Sequence, residues 1–263
     1  MDVKVGQNFY GENLSDFINP KENRYYICCI ICSILITICA VVSMVGMLYL
    51  IIIPSVLYFL HGIFIAEIKG NGIRISERQL PEVYRLAQQY SARMGMPVPE
   101  IYVIQSGGML NAFATSFASR KFVVLYSDIL DMAYSEGEHV VSFILCHELA
   151  HIRRQHVQRS FTRISMVIPI VWNAYSRACE YTCDAIANYM VPGGAVEGLL
   201  ILAAGKKLYK KVNLEELENQ RLREGGFFMW LGKINSTHPY LSHRIAKVRN
   251  SQRSFVDSEA EVV

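Results

Sequence analysis

Charge is what this chain lacks over its longest stretch. From Tyr25 to Ala66, 42 residues pass without an Asp, Glu, Lys or Arg. One membrane-crossing helix needs about 20 apolar residues and tolerates up to about 25. The run is therefore too long for one span and right for two: a helical hairpin over roughly 25–45 and 48–66, with a turn near Met44–Met47 around Gly46. It follows a segment with charges of both signs and far exceeds the roughly 7–15-residue apolar core of a cleaved signal, which excludes that reading. No face is polar, which excludes a pair of soluble amphipathic helices. Pro54 falls inside the second span, where lipid-embedded helices tolerate it, and His61 falls near its interfacial end. Repeats, low-complexity tracts and a basic stripe are also missing. The net charge is only +3, so nucleic acid is excluded as a partner. The seven cysteines form no spaced loop framework: Cys28, Cys29, Cys32 and Cys39 lie in the first span and the other three in two later helices. That argues against a disulfide-stapled secreted domain.

Basic residues flank the hairpin on one side. Lys21 and Arg24 precede it, Lys69, Arg74 and Arg78 follow it, and the connecting turn is uncharged. The positive-inside bias puts both ends in the cytoplasm. The expected organisation is a polar cytosolic arm (1–24), a transmembrane hairpin (25–66), one globular domain (67–250) and a C-terminal tail (251–263). That describes an integral membrane protein with two spans and a cytoplasmic domain, in the plasma membrane if the cell is bacterial.

Within the domain, His147-Glu148-Leu149-Ala150-His151 reads H-E-x-x-H. On a helix this spacing sets two imidazoles one turn apart on the same face. Neutral histidines so placed can hold zinc, and the glutamate between them can act on a water there. The flanking run Phe143–Ile152 is apolar on most sides, so two histidines and a carboxylate in it are costly to bury without partners. The bland alternative is a pair of core histidines satisfied by hydrogen bonds. A catalytic zinc site needs a third protein ligand and a position left for water. Glu180 and Asp184 are i,i+4 neighbours in a helix-compatible stretch whose flanking residues are apolar. Glu180 is a candidate third ligand, and Asp184 a candidate acceptor for the second ring N–H of His147 or His151. A solvated acidic face is the alternative there. Cys179 and Cys183, also i,i+4, are a rival ligand pair, or small buried hydrophobes. His139 and His156 read as solvated, and Cys146 as packing.

The remaining elements are a helix over Leu80–Met94 opened by Pro81, strands at Glu100–Gln105 and Phe122–Tyr126, a short helix from Asp128 stopped near Gly137, and the H-E-x-x-H helix over about 138–156. Ser165–Tyr175 is apolar but too short to span a bilayer, so it packs in the core or touches the membrane surface. Leu214–Arg223 is a solvated helix with acidic residues first and basic ones last, as the helix dipole favours. The plan is α+β.

Several motifs in order carry a resemblance. His147-Glu148-x-x-His151 is followed by Ser176-Arg177-x-x-Glu180-Tyr181-x-x-Asp184; Asn111-Ala112-Phe113-Ala114 precedes a Val-rich strand; Thr237-His238-Pro239 and His243-Arg244-Ile245 close the domain. Together they resemble the HtpX-like membrane zinc metallopeptidases, relatives of the type-1 CAAX prenyl proteases. The resemblance implies a gluzincin-like zinc metallopeptidase domain, mainly α with a small sheet, behind an N-terminal transmembrane hairpin. It implies one Zn2+ per chain on His147, His151 and Glu180, Glu148 as catalytic base, and Asn111, Ala112, Phe113 and Ala114 bordering the substrate cleft. HtpX has two further spans between the metal helix and the ligand helix. Only 28 residues separate His151 from Glu180 here, so this chain resembles a shorter, two-span member.

The expected activity is zinc-dependent endopeptidase cleavage of peptide or membrane-protein substrates at the bilayer, in membrane protein quality control. A narrow processing protease for a small or lipidated peptide and a non-catalytic zinc-binding scaffold are the alternatives; Glu148 argues against the scaffold. The oxyanion needs one further donor. His238, Tyr240, His243 and Arg244 are candidates in the region the resemblance places near the cleft, His238 and Arg244 foremost. The Phe122–Tyr126 strand is expected to offer its edge to an extended substrate. Sequence leaves the oligomeric state open.

Overall fold

The structure, a computed structural model, describes residues 11–105, 107 and 111–260. Residues 1–10 of the expected arm and 261–263 of the expected tail lie outside the described residues.

Two helices form the hairpin, α1 (Pro20–Val42) and α2 (Met44–Asn71). Helix α1 starts five residues before the charge-free run, because Asn19 caps it and Pro20 opens it. The turn is tighter than expected: Ser43 alone separates the helices, and its Oγ accepts the Gly46 N–H at 3.2 Å. A Cβ on Gly46 would stand 2.6 Å from the Ala40 carbonyl oxygen, so only glycine lets the helices meet there. Helix α2 runs on through Pro54. Both helices are long and apolar enough to cross a membrane. They leave Ile31, Leu35, Ile52 and Phe59 exposed, as a transmembrane hairpin does toward lipid. Residues 11–19 are docked on the domain: Leu14 joins the core, Glu12 pairs with Arg93 at 2.6 Å and Phe17 stacks on Tyr189.

A four-stranded sheet follows, of β1 (Ile73–Arg74), β2 (Glu100–Ile104), β3 (Ala112–Phe117) and β4 (Arg120–Tyr126), in the order β1-β2-β4-β3. Strands β2 and β4 run parallel; the outer pairs are antiparallel. Ala118 and Ser119, both at positive φ, make the tight β3–β4 turn. Side chains alternate as the pleat requires. Ile101, Val103, Val123 and Leu125 enter the main core, while Tyr102, Phe122 and Val124 pack under Ile65 and Ile68 of α2. The sheet is thus held between the domain core and the membrane hairpin. The expected exposed edge on Phe122–Tyr126 is corrected: β4 is paired on both sides, and the edge strand beside it is β3.

Helix α3 (Pro81–Arg93) lies between β1 and β2 in sequence, and α4 (Ser127–Glu136) follows β4. Gly137, at φ 106°, breaks the chain before α5 (Glu138–Arg153). Helix α5 is the domain's axis, buried at every position from Val140 to Ile152 except His151. It stops three residues short of the expected end. Gln155 takes a left-handed φ of 61°, and the Gln155 and His156 N–H groups bond back to the carbonyls of Ile152 and His151. This Schellman cap turns His156 back toward the helix it leaves.

A 3-10 turn (Phe161–Val167) leads into α6 (Pro169–Met190). The apolar Ser165–Tyr175 segment packs one side on α1, where Cys29, Tyr175 and Cys179 form a small cluster, and leaves Val167 and Ile170 exposed. The chain ends in α7 (Gly194–Leu208), α8 (Leu214–Arg223), α9 (Phe227–Asn235) and α10 (Leu241–Ala260). Helix α8 has the expected charge order under an Asn213 cap. The described part of the tail is the last turns of α10. The fold is α+β, mostly helical with one small sheet.

Candidate metal centre

Helix α5 supplies His147, Glu148 and His151, and α6 crosses it with Glu180 and Asp184 one turn apart. All but His151 are buried. His147 Nε2 lies 3.2 Å from His151 Nε2, and each faces the Glu180 carboxylate, at 3.5 and 3.3 Å. Two imidazole nitrogens and a carboxylate oxygen, all within 4.8 Å of one another, make a borderline-hard donor set. Nitrogens aimed at each other across 3.2 Å have one proton to share at most, and a cation among them removes the conflict. These donors fit a zinc ion with a position left open.

The far side of each ring is also engaged. His147 Nδ1 is 3.0 Å from Asp184 Oδ1, although the ring N–H points off that line enough to miss good hydrogen-bond geometry. Arg244 of α10, itself buried, donates to both Asp184 oxygens at 2.7 Å and lies 3.2 Å from Glu180. Burial alone would raise the Glu180 and Asp184 pKa values. The Arg244 guanidinium and the histidines outweigh it and hold both carboxyls below their ordinary range. For His147 burial pulls downward, but Asp184 and Glu180 push it up to about 10.

A cavity of about 220 Å³ opens onto these groups. Asn111, Ala112, Phe113 and Ala114 line one wall, so edge strand β3 borders it; Glu148, His151, His238 and Arg244 line others. His238 stands at the rim, largely exposed, with Nε2 3.6 Å from Glu180 Oε1. Tyr240 and His243 do not line it; the Tyr240 hydroxyl bonds the Met229 carbonyl instead. Arg244 departs from its expected duty. Its donors are committed to two carboxylates, so it braces the ligand helix rather than standing ready for an oxyanion.

His156 also departs from expectation. Its side chain is 5% exposed, with Nδ1 3.2 Å from His151 Nδ1 and Nε2 3.1 Å from Glu22 Oε1. Burial pushes it down to about 4 against the pull of Glu22. His139 is half-exposed and paired with Glu197. The rival cysteines point at this second cluster: Cys183 Sγ is 3.7 Å from His156 Nδ1, and Cys179 lies by Glu22 and His156. Burial pushes both thiols up, and Arg154 already neutralises Glu22 at 2.8 Å. Protonated thiols beside a neutralised carboxylate are poor company for a cation. Burial likewise pushes the Cys146 thiol up, in keeping with packing.

The sequence model of Peptidase family M48 matches residues 77–171 and 157–252, two thirds of the chain. This chain belongs to peptidase family M48. A "Protease HtpX homolog" of Ralstonia nicotianae is 31% identical over 87 residues, 33% of this chain and 29% of that protein. One of Thermodesulfovibrio yellowstonii is 29% identical over 100 residues, 38% of this chain and 34% of that protein. The chain thus spans about a third of the length of the curated relatives it matches. The crystal structure of S. mikatae Ste24p superposes with a TM-score of 0.48 at 16% identity, covering 77% of this chain and 57% of that one. As an M48 member with an N-terminal pair of membrane-length helices, the protein is an integral membrane protein of a metal-dependent peptidase family.

Proposed function

We propose that this chain is a membrane-anchored, zinc-dependent endopeptidase whose cytoplasmic domain cleaves membrane proteins or their bilayer-proximal segments, as in membrane protein quality control. The convergence of His147, His151 and Glu180 around one point, with Glu148 in the same cavity, carries the reading. One zinc ion held by these three would supply Lewis acidity, polarising the scissile carbonyl and bringing a water's pKa toward about 7. Glu148 takes the proton of the attacking water and returns it to the departing amine. His238, largely exposed at the rim, is the donor for the oxyanion; Arg244 and Asp184 hold Glu180 and His147 in place. The β3 edge supplies main-chain N–H and C=O groups for an extended substrate, which favours loose sequence preference.

The site's surroundings support a bilayer-proximal substrate. A larger cleft of about 1030 Å³ runs between α1 and α2, past Ile36, Ile53 and Leu57, to Ser116 and Phe117 at the far end of β3. A segment leaving the bilayer there would follow β3 to the cavity. The basic flanks Lys21, Arg24, Lys69, Arg74 and Arg78 support the cytoplasmic orientation.

The test is metal content and cleavage of unfolded casein by the detergent-purified chain, beside Glu148→Gln. About one zinc in each protein, with cleavage at least 100-fold lower in the variant, is expected. Undiminished cleavage by Glu148→Gln sinks the mechanism, and intact casein with the wild type sinks loose specificity.

A further inference from the structure

We infer that Glu22, in the first turn of the membrane hairpin, is a positioning residue for the metal centre, acting through His156 on His151. The inference rests on the metal reading of His147, His151 and Glu180 and follows from proton placement. His151 turns Nε2 toward His147 and Glu180. With that nitrogen given to a cation, the ring proton sits on Nδ1. The atom 3.2 Å away is His156 Nδ1, which must accept. His156 therefore carries its own proton on Nε2, 3.1 Å from Glu22 Oε1. One choice at the metal assigns both tautomers, and the chain ends on a carboxylate.

That carboxylate is locked. Glu22 is fully buried and also accepts from Arg154 Nη2 at 2.8 Å and from Thr182 Oγ1 at 2.5 Å. Thr182 in turn accepts the Asn19 N–H at 3.0 Å, at the cap of α1. Thr182 lies on α6 between Glu180 and Asp184, so one helix supplies the ligand and grips the support. A buried carboxylate in the first turn of a membrane helix is costly. Three donors from two domain segments satisfy it, and its placement behind a ligand histidine gives it a task. Metal-binding histidines commonly present the second ring N–H to a carboxylate, which fixes the ring and raises its basicity. His147 has Asp184 for this. His151 reaches its carboxylate through one intervening histidine, and that carboxylate belongs to the hairpin.

The test uses the full-length, detergent-purified protein and three variants. Glu22→Gln removes the charge, His156→Leu cuts the chain, and His156→Gln keeps an acceptor and a donor at the spacing of the two ring nitrogens. Zinc affinity is read by chelator competition, coordination by the visible absorption of the Co2+-loaded protein, and folding by metal-free melting. We expect zinc affinity to fall about 10–100-fold in Glu22→Gln and His156→Leu, with shifted Co2+ bands, and His156→Gln to restore most of it. Glu22→Gln and His156→Leu are independent, so one folded variant decides. Wild-type affinity and an unshifted Co2+ spectrum in a folded variant overturn the inference, as does a wild-type chain that binds no metal. A wild type that binds zinc without cleaving casein sinks the loose specificity and leaves this inference standing.

Discussion

The two sides of the H-E-x-x-H helix solve one problem with different materials. Toward α10, His147 is backed directly by Asp184, which Arg244 clamps with two 2.7 Å bonds. Toward the membrane, His151 is backed by His156, which leans on Glu22 of α1. The first support lies wholly inside the peptidase domain and the second is borrowed from the hairpin. The contrast teaches that the hairpin is more than a tether, since half of the outer support of the site enters with its first turn.

The comparison breaks hardest at Arg244. Arg244→Met leaves Asp184 and Glu180 buried without the guanidinium that clamps them, and removal of one partner from such a group costs about 3–5 kcal/mol. Denaturant unfolding of the metal-free protein should show that loss, and a change below about 1 kcal/mol would mean the clamp is not holding the fold. On the membrane side the same logic gives a smaller number, because Glu22 has several partners. Thr182→Val removes one buried hydrogen bond to the carboxylate and is expected to cost about 1–3 kcal/mol in the same measurement.

Acidity sharpens the contrast further. His147 sits at about 10, above its ordinary 6.5. A raised folded value stabilises fully below the unfolded one and is lost as pH climbs through the folded one. Metal-free protein should therefore melt lower as pH rises from about 6.5 toward 10. Zinc, which needs the ring deprotonated, should bind more tightly over the same interval. A metal-free melting temperature that is flat or rises across that window would contradict the placement of His147 between two carboxylates. The smallest effect belongs to a pair outside both supports. His139 and Glu197 are each about two-fifths exposed, and Glu197→Gln should change stability by less than about 1 kcal/mol and leave zinc affinity alone.

Much of this was legible in the sequence because it depends on local spacing. The i,i+4 pairs His147/His151 and Glu180/Asp184 each share a helix face by geometry alone, and a 42-residue charge-free run admits little but a hairpin. Strand β3 was missed as a strand because Ala112–Phe117 is half-buried throughout and mixed in character, with no alternation to announce it without β4 beside it. That omission put the edge on the wrong strand. His156 read as solvated because it follows two arginines, yet the left-handed turn at Gln155 folds it inward. Arg244 looked like a free cation near the cleft, since nothing in its own segment shows that two carboxylates await it.

The elements and their chemistry follow from local sequence: two membrane-length helices, a helix bearing two histidines and a glutamate on adjoining faces, and a later helix bearing two acids. Periodicity and hydropathy act within a dozen residues, and those patterns lie within that reach. Which groups meet was set by packing. It set Glu22 against His156, Arg244 against Asp184 and the β3 edge against the cavity. Those partners lie tens of residues or more apart in sequence, and the contacts between them arise from packing α1, α6 and α10 around one buried helix.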